Sequence, residues 1–396
     1  MIRNICIITT VATSVTTQAR LFQSALADKL PPFTNVDFIV MAPVYPLPLE
    51  FNKRLKSCDL AVFFLDPFYQ LNPLSMPQYS FLKFTSDGVQ LNNAINASIR
   101  LICERHECYA NTQYSKHNLE VNDIKVKGLV YDGIRNIPVP PINPTSQLTM
   151  LGFYNHGGNP MMDRKGQNIA TALLVKLMQI YDFTTIVGSN VDYLHHVASK
   201  YVEVIEQKTV RKRIGDGSKI EEISYGFGEP KFNYDGELFS YASPSSLLNG
   251  FIKKGSINYV LIGGLSEMDL RILYALSDYF LFPSLTEGFG VPPIEALNTG
   301  RFVIANSYQT AKELLPTNCT RFIKPSHVLT YDWGNSIAPM RMQYVYPDMG
   351  DFTDAVTQAI ENGFTYDKYQ CVKESLKYEY RKSYEPLVKK VMEAIK

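Results

Sequence analysis

Between residues 279 and 305 the chain passes from an apolar aromatic run, Tyr279-Phe280-Leu281-Phe282, through a glycine- and proline-rich loop and a short helical pattern to a second apolar run, Phe302-Val303-Ile304-Ala305. Two strand-like runs of this length with one helix between them read as a β-α-β unit, the building block of a parallel sheet. The loop between strand and helix then falls at the carboxyl end of a strand, where open α/β sheets bind their ligands.

That loop reads Pro283-Ser284-Leu285-Thr286-Glu287-Gly288-Phe289-Gly290-Val291-Pro292-Pro293-Ile294-Glu295. Pro292 and Pro293 suit a helix start, because a first-turn residue has no intrahelical use for its N–H. An anion held there would take its hydrogen bonds from Phe289, Gly290, Val291 and Ile294, backed by the positive end of the helix dipole. Gly288 and Gly290 let the backbone approach a ligand closely. Glu287 and Glu295, both acceptors only, flank this anion site. They suit a ligand with hydroxyls at both ends and phosphate between.

Glutamate, seven residues, glutamate, with Gly-Phe-Gly and proline inside, resembles the signature of the retaining family-4 glycosyltransferases. The resemblance is specific from about residue 146 to 325 and diffuse before it. It implies a GT-B architecture: α/β, with two Rossmann-like doubly wound domains facing across a cleft, the second binding the nucleotide sugar and the first the acceptor. It also implies that Glu287 contacts hydroxyls of the transferred sugar, that Gly288, Phe289, Gly290 and Val291 face sugar and diphosphate, and that Glu295 holds the ribose. The expected activity is transfer of a sugar, with retention, from a nucleotide-diphosphate sugar to a glycan, lipid-linked or protein acceptor. Glu287 is expected to position the sugar and stabilise charge rather than act as a covalent nucleophile. No metal or other cofactor is required by this reading, since helix dipole and cationic side chains can neutralise the leaving diphosphate.

At 396 residues the chain exceeds the size at which a single core stops growing, so two domains are expected. With 45% hydrophobic and 19% charged residues it is an ordinary globular chain, and a net charge of +1 gives no electrostatic case for a nucleic-acid partner. The apolar run at residues 5–8 is too short for a signal peptide, and no run of membrane-spanning length follows. The expected location is cytoplasmic, with peripheral membrane contact left open. The six cysteines do not form a disulfide-framework pattern. Cys103, His106, Cys108 and His117 match no paired zinc-site spacing.

Along the chain, strands are expected at residues 5–9, 36–41 and 60–65, with a helix at 18–30. The turn after the first strand, Thr10-Val11-Ala12-Thr13-Ser14-Val15, has no glycine, which removes the main support for a dinucleotide-binding dehydrogenase. A further strand, 81–85, ends in Ser86-Asp87-Gly88, where the family commonly has a histidine near the acceptor. Asp87 is therefore a candidate for orienting an acceptor hydroxyl, with a turn-forming aspartate as the competing explanation. Asp66, His106 and His117 carry weaker signals of the same kind.

Four prolines in residues 138–144 make a stiff connection, placing the boundary between a first domain, 1–145, and a second, 146–374. A last helix, within about 375–396, is expected to cross back to the first domain. The second domain opens with a strand at 148–153, then Arg164-Lys165-Gly166. The family has Gly-Arg and Lys-Gly in this region, the two basic side chains gripping the diphosphate. Lys165 fits the second element, and Arg164 stands in for the missing arginine; a solvated charge pair is the alternative. Residues 190–255 read as an insertion with hairpin character. Ser266 followed by Asp269 is a helix cap, and the preceding loop, including Gly264, is a candidate for contact with the base. Competing functions are a non-catalytic nucleotide-sugar or glycan-binding protein of this fold, motivated by the missing first-loop glycines, and an epimerase or phosphorylase of the same architecture.

Overall fold

The computed structural model describes residues 2, 4–10, 13–41, 49–66, 75–139, 141–152, 164–189, 202–214, 219–230, 239–242, 254–255, 257–261, 265–333 and 339–396. The first half runs β1 (Asn4–Thr10), α1 (Thr13–Ala27), β2 (Asn35–Met41), α2 (Leu49–Lys56), β3 (Leu60–Leu65), β4 (Tyr79–Phe84), β5 (Val89–Gln90), α3 (Asn93–Arg105), β6 (Glu107–Ala110), α4 (Gln113–Glu120) and β7 (Gly128–Leu129). Six of these strands form one sheet in the order β2-β1-β3-β4-β6-β7, every pair parallel. Every residue of β3, Leu-Ala-Val-Phe-Phe-Leu, is buried, as a central parallel strand covered on both faces must be. One face packs α1 through Ala19, Phe22 and Leu26; the other packs α2 and α3 through Leu55, Ile95 and Ile99.

The second half runs β8 (Ser146–Gly152), α5 (Gln167–Met178), β9 (Thr185–Ser189), β10 (Val202–Ile214), β11 (Lys219–Pro230), β12 (Phe239–Ala242), β13 (Ile257–Leu261), α6 (Glu267–Ala275), β14 (Ser277–Phe282), α7 (Val291–Asn298), β15 (Phe302–Asn306), α8 (Gln309–Leu314), β16 (Thr320–Ile323), β17 (Pro325–Trp333), β18 (Met340–Pro347), α9 (Met349–Glu361), α10 (Lys368–Ser375), a 3-10 turn (Leu376–Tyr378), α11 (Tyr380–Ser383) and α12 (Glu385–Ile395). Its sheet is also parallel, in the order β12-β13-β9-β8-β14-β15-β16. Strand order reverses between β8 and β14, so their carboxyl ends open the crevice in which such sheets bind ligands. β10 and β11 pair as a separate antiparallel hairpin, the character expected of the insertion.

Three features tie the halves together. The chain leaves the first sheet through residues 131–136 and returns through 376–384, and the two passes are bonded to each other: Ile134 N–H donates to Tyr378 O at 2.8 Å and Tyr380 N–H to Ile134 O at 2.9 Å. After the return, Tyr384, Leu387, Val388 and Val391 join the first sheet's core beside α1. The pattern at 380–395, which reads as one helix, is broken at Tyr384 because Pro386 in the first turn of α12 lacks an N–H and crowds the preceding turn. Finally, β17 and β18 form a hairpin that reaches the first half, where β18 pairs antiparallel with β5, Met340 with Gln90 and Arg341 with Val89.

Cys6 in β1 and Cys58 ahead of β3 are joined by a disulfide, Cα atoms 5.8 Å apart. Nothing in their spacing signals the pair, because adjacency of strands 52 residues apart creates it. Among the described residues no helix is long and apolar enough to cross a membrane.

Candidate active site

The site assembles at the switch point of the second sheet. Residues 164–166 follow β8 and residues 283–290 follow β14, and the two loops are stitched together: Leu285 N–H donates to Arg164 O at 2.8 Å and the Ser284 hydroxyl to the same oxygen at 3.2 Å. α7 starts at Val291 with prolines in its first turn, and Gly290 stands before it at φ +88°, a conformation side chains with a Cβ rarely adopt.

Glu287 is 7% exposed. Its Oε1 accepts from Lys165 Nζ at 2.5 Å and from the Ser284 hydroxyl at 2.7 Å, and its backbone oxygen accepts from the Thr310 hydroxyl at 2.8 Å. Arg164 places Nη2 3.9 Å from Glu287 Oε2 and donates through Nη1 to Asp87, in the loop that follows β4 of the first sheet. Asp87, Arg164, Glu287 and Lys165 thus form one alternating chain of charge across the cleft. Burial lowers the Lys165 pKa, and Glu287 partly restores it. Burial acts the same way on Arg164, but Asp87 and then Glu287 outweigh it and hold the guanidinium firmly protonated. The Tyr308 hydroxyl, buried beside Gly290 with no hydrogen-bond partner among the described residues, is pushed well above the usual tyrosine range by burial and then by Glu287.

The first domain closes directly on this loop. The Thr112 hydroxyl, which caps α4, donates to Gly288 O at 3.1 Å, and the Gln113 N–H at the start of α4 donates to both carboxylate oxygens of Glu313 at 3.0 Å. A Cβ on Gly288 would stand 2.5 Å from Asp87 Oδ1, so glycine is what lets the aspartate approach. Phe289 points away from the cleft into an aromatic cluster with Tyr131 and Tyr378. Its expected contact with the donor can therefore come only from the backbone.

Eight residues beyond Glu287, on α7, Glu295 accepts from the Tyr274 hydroxyl at 3.1 Å and from Arg271 at 3.0 Å, both on α6. The Ser266–Asp269 capping box read from the sequence starts α6 and fixes this face. Gly264 lies outside the described residues. Asp66 directly follows β3 beside the cleft, half-buried. Burial first, then the charge of Asp87, raises its pKa to about 7 against the pull of Arg164. Its position at a strand's carboxyl end was the available signal. Tyr274, Tyr308 and Arg271 gave none, since aromatic and arginine residues in helical patterns read as core and surface.

The fold and this site define the class: two Rossmann-like domains in a GT-B arrangement. Solved structures agree along the whole chain. Sucrose-phosphate synthase from Thermosynechococcus elongatus superposes with a TM-score of 0.60 at 12% identity, covering 99% of this chain and 100% of that one. Anabaena Alr3699/HepE in complex with UDP-glucose gives 0.58 at 12% identity, covering 98% and 99%. More specifically, residues 253–330 match the family model Glycosyl transferases group 1. Short stretches are similar to curated enzymes. The serotype-specific mannosyltransferase WbdA of Escherichia coli is 39% identical over 56 residues, 14% of this chain and 7% of the relative. The gpi3 subunit of phosphatidylinositol N-acetylglucosaminyltransferase of Schizosaccharomyces pombe is 34% identical over 65 residues, 16% of this chain and 14% of the relative. The chain therefore spans a small fraction of the curated relatives it matches.

Proposed function

We propose that this chain is a retaining, family-4-type hexosyltransferase that moves a sugar from a nucleotide-diphosphate sugar to a hydroxyl of a glycan, lipid-linked or protein acceptor. The observation that carries this reading is the meeting of Lys165 and Glu287, from two different loops, at the switch point of the second sheet, with Glu295 on the adjoining helix. The group 1 match over residues 253–330 and the mannosyl- and N-acetylglucosaminyltransferase relatives support it. The UDP-glucose held by the Anabaena protein supports a nucleotide sugar as donor.

In this reading the diphosphate lies over the start of α7, met by the backbone of Gly288 to Val291 and the positive helix end. Lys165 and Arg164 neutralise the leaving group, so the reaction needs no metal. Without donor, Lys165 and Glu287 satisfy each other; with donor, Lys165 lies between diphosphate and carboxylate. Glu287 holds sugar hydroxyls and stabilises positive charge at the anomeric carbon as its bond to phosphate oxygen breaks. The acceptor hydroxyl, oriented by Asp87, bonds to that carbon from the same face and passes its proton to the departing phosphate oxygen. Closure of the domains excludes water that would otherwise consume the donor. A cytoplasmic location and peripheral membrane contact belong to the proposal.

The test is release of nucleotide diphosphate from a panel of UDP- and GDP-sugars in the presence of acceptor extracts. Glu287→Gln is expected to slow release on the order of 100-fold. A protein that binds a nucleotide sugar and releases nothing, with Glu287→Gln behaving identically, is a binding protein instead. Release without acceptor favours an epimerase, and a sugar phosphate product a phosphorylase.

A further inference from the structure

Arg271 is 2% exposed, lies in the middle of α6 and belongs to neither phosphate-facing loop. Its Nη2 stands 3.0 Å from Glu295 Oε1 and donates at 3.2 Å to the carbonyl of Arg135, in the segment joining the two domains. Its Nε and Nη1 are buried with no acceptor among the described residues. Tyr274, three positions on and so on the same helix face, donates to the other oxygen, Oε2. Each carboxylate oxygen of Glu295 thus accepts one bond from beneath, and the side chain keeps 20% exposure. A carboxylate oxygen has two lone-pair sites, so this arrangement leaves one on each oxygen for an outside donor. Two such sites side by side match a vicinal diol.

Resting on the proposed contact of Glu295 with the donor ribose, we propose that Arg271 is a positioning residue that keeps Glu295 ionised and aimed, so that donor binding survives to lower pH than it would without that cation. The groups that act on Glu295 are consistent with this. Burial raises its pKa above the ordinary glutamate value; Arg271 and then the Tyr274 hydroxyl pull it back without cancelling that rise, and Glu267 at the start of α6 adds to it. α10, packed on the other side of α7, brings Cys371 and Ser375. Arg271 is therefore the cation that opposes burial. Removing it lets the carboxylate take up a proton as pH falls, and a protonated carboxyl accepts fewer bonds.

The experiment measures binding of UDP, GDP and ADP by calorimetry from pH 5.5 to 8.5, then takes the tightest and its 2′-deoxy analogue as probes. Wild-type protein is expected to prefer the ribonucleotide on the order of tenfold at pH 8.5 and to lose that preference only toward the acid end of the range. Glu295→Gln loses that preference throughout. Arg271→Met keeps it at pH 8.5 and loses it at a higher pH than wild type does, and Arg271→Lys restores the wild-type profile. Arg271→Gln, which can still donate to Glu295 and Arg135 without charge, replaces the methionine variant if that one does not fold. A preference that follows the wild-type pH profile in Arg271→Met or Arg271→Gln, with Glu295→Gln impaired, overturns the role of Arg271 and leaves the ribose contact standing. A preference intact in Glu295→Gln, or no binding of any nucleotide, sinks the reading on which the inference rests.

Discussion

Replacing Lys83 with methionine keeps the length of the side chain and removes its charge. Lys83 sits on β4 with 1% exposure and pairs with Asp132, itself 5% exposed. Its ammonium lies 5.6 Å from the Phe64 ring centroid and 6.0 Å from that of Tyr384. In the variant the Asp132 carboxylate keeps only the Asn111 amide, at 3.0 Å, as a side-chain donor among the described residues. Leaving one member of a buried ion pair uncompensated costs ~3–5 kcal/mol. For a unit of this size that lowers the melting temperature by about 6–20 °C. Asp132 also accepts the Ser383 hydroxyl on its backbone oxygen, so the loss should loosen the returning C-terminal segment together with the first sheet. The double variant Lys83→Met/Asp132→Asn removes both charges and should recover most of the loss, because a neutral, hydrogen-bonded pair carries no desolvated charge. Calorimetric melting of wild type, both single variants and the double variant decides the matter. A Lys83→Met protein melting within about 2 °C of wild type, or a double variant less stable than either single one, refutes the reasoning.

Lys165→Met should weaken binding of the nucleoside diphosphate by about 10- to 150-fold, the worth of one hydrogen bond to a charged group, in calorimetric titration with UDP or GDP; unchanged affinity contradicts its place at the diphosphate. Asp66 gives a pH test. Its folded pKa, about 7, lies above the ordinary 3.8, so the folded state binds the extra proton and stability falls as pH rises through that window. Asp66→Asn should therefore match wild type near pH 4 and exceed it at pH 8 by up to ~4 kcal/mol. Equal melting temperatures at pH 8 would remove the basis for that shift. Thiol titration of unreduced, denatured protein should find Cys103, Cys108, Cys319 and Cys371 and no others. Reactive Cys6 and Cys58 in protein purified without reductant would show that this bond does not form.

The strand and helix alternation of both halves is legible in the sequence because each central strand is a short apolar run and each helix start carries a chemical mark. Ser266 with Asp269 at α6 and Pro292 at α7 are such marks, and both helices begin beside them. The pairing of β18 with β5 is not legible, since no local pattern says which edge a hairpin will meet across some 250 residues of chain. Side-chain partnership fails for the same reason. Arg164 and Lys165 read as phosphate ligands from their neighbours in sequence, while the reach of Arg164 to Asp87 depends on how the domains close. Arg271 fails differently: an arginine among leucines on a helix looks solvated, and its burial follows from a carboxylate on the next helix.

The antiparallel contact of β18 with β5, with Leu91 N–H donating to Pro339 O at 2.9 Å, is a second fastening between halves already joined through Ile134, Tyr378 and Tyr380. Two bodies pinned at one point can swing apart in any direction. Pinned at two, the motion that spares both pins is rotation about the line through them. A twist about that line would keep both backbone fastenings while sliding Gly288 past Thr112 and Asp87, whereas a wide jaw-like gape would first have to peel a strand from its sheet.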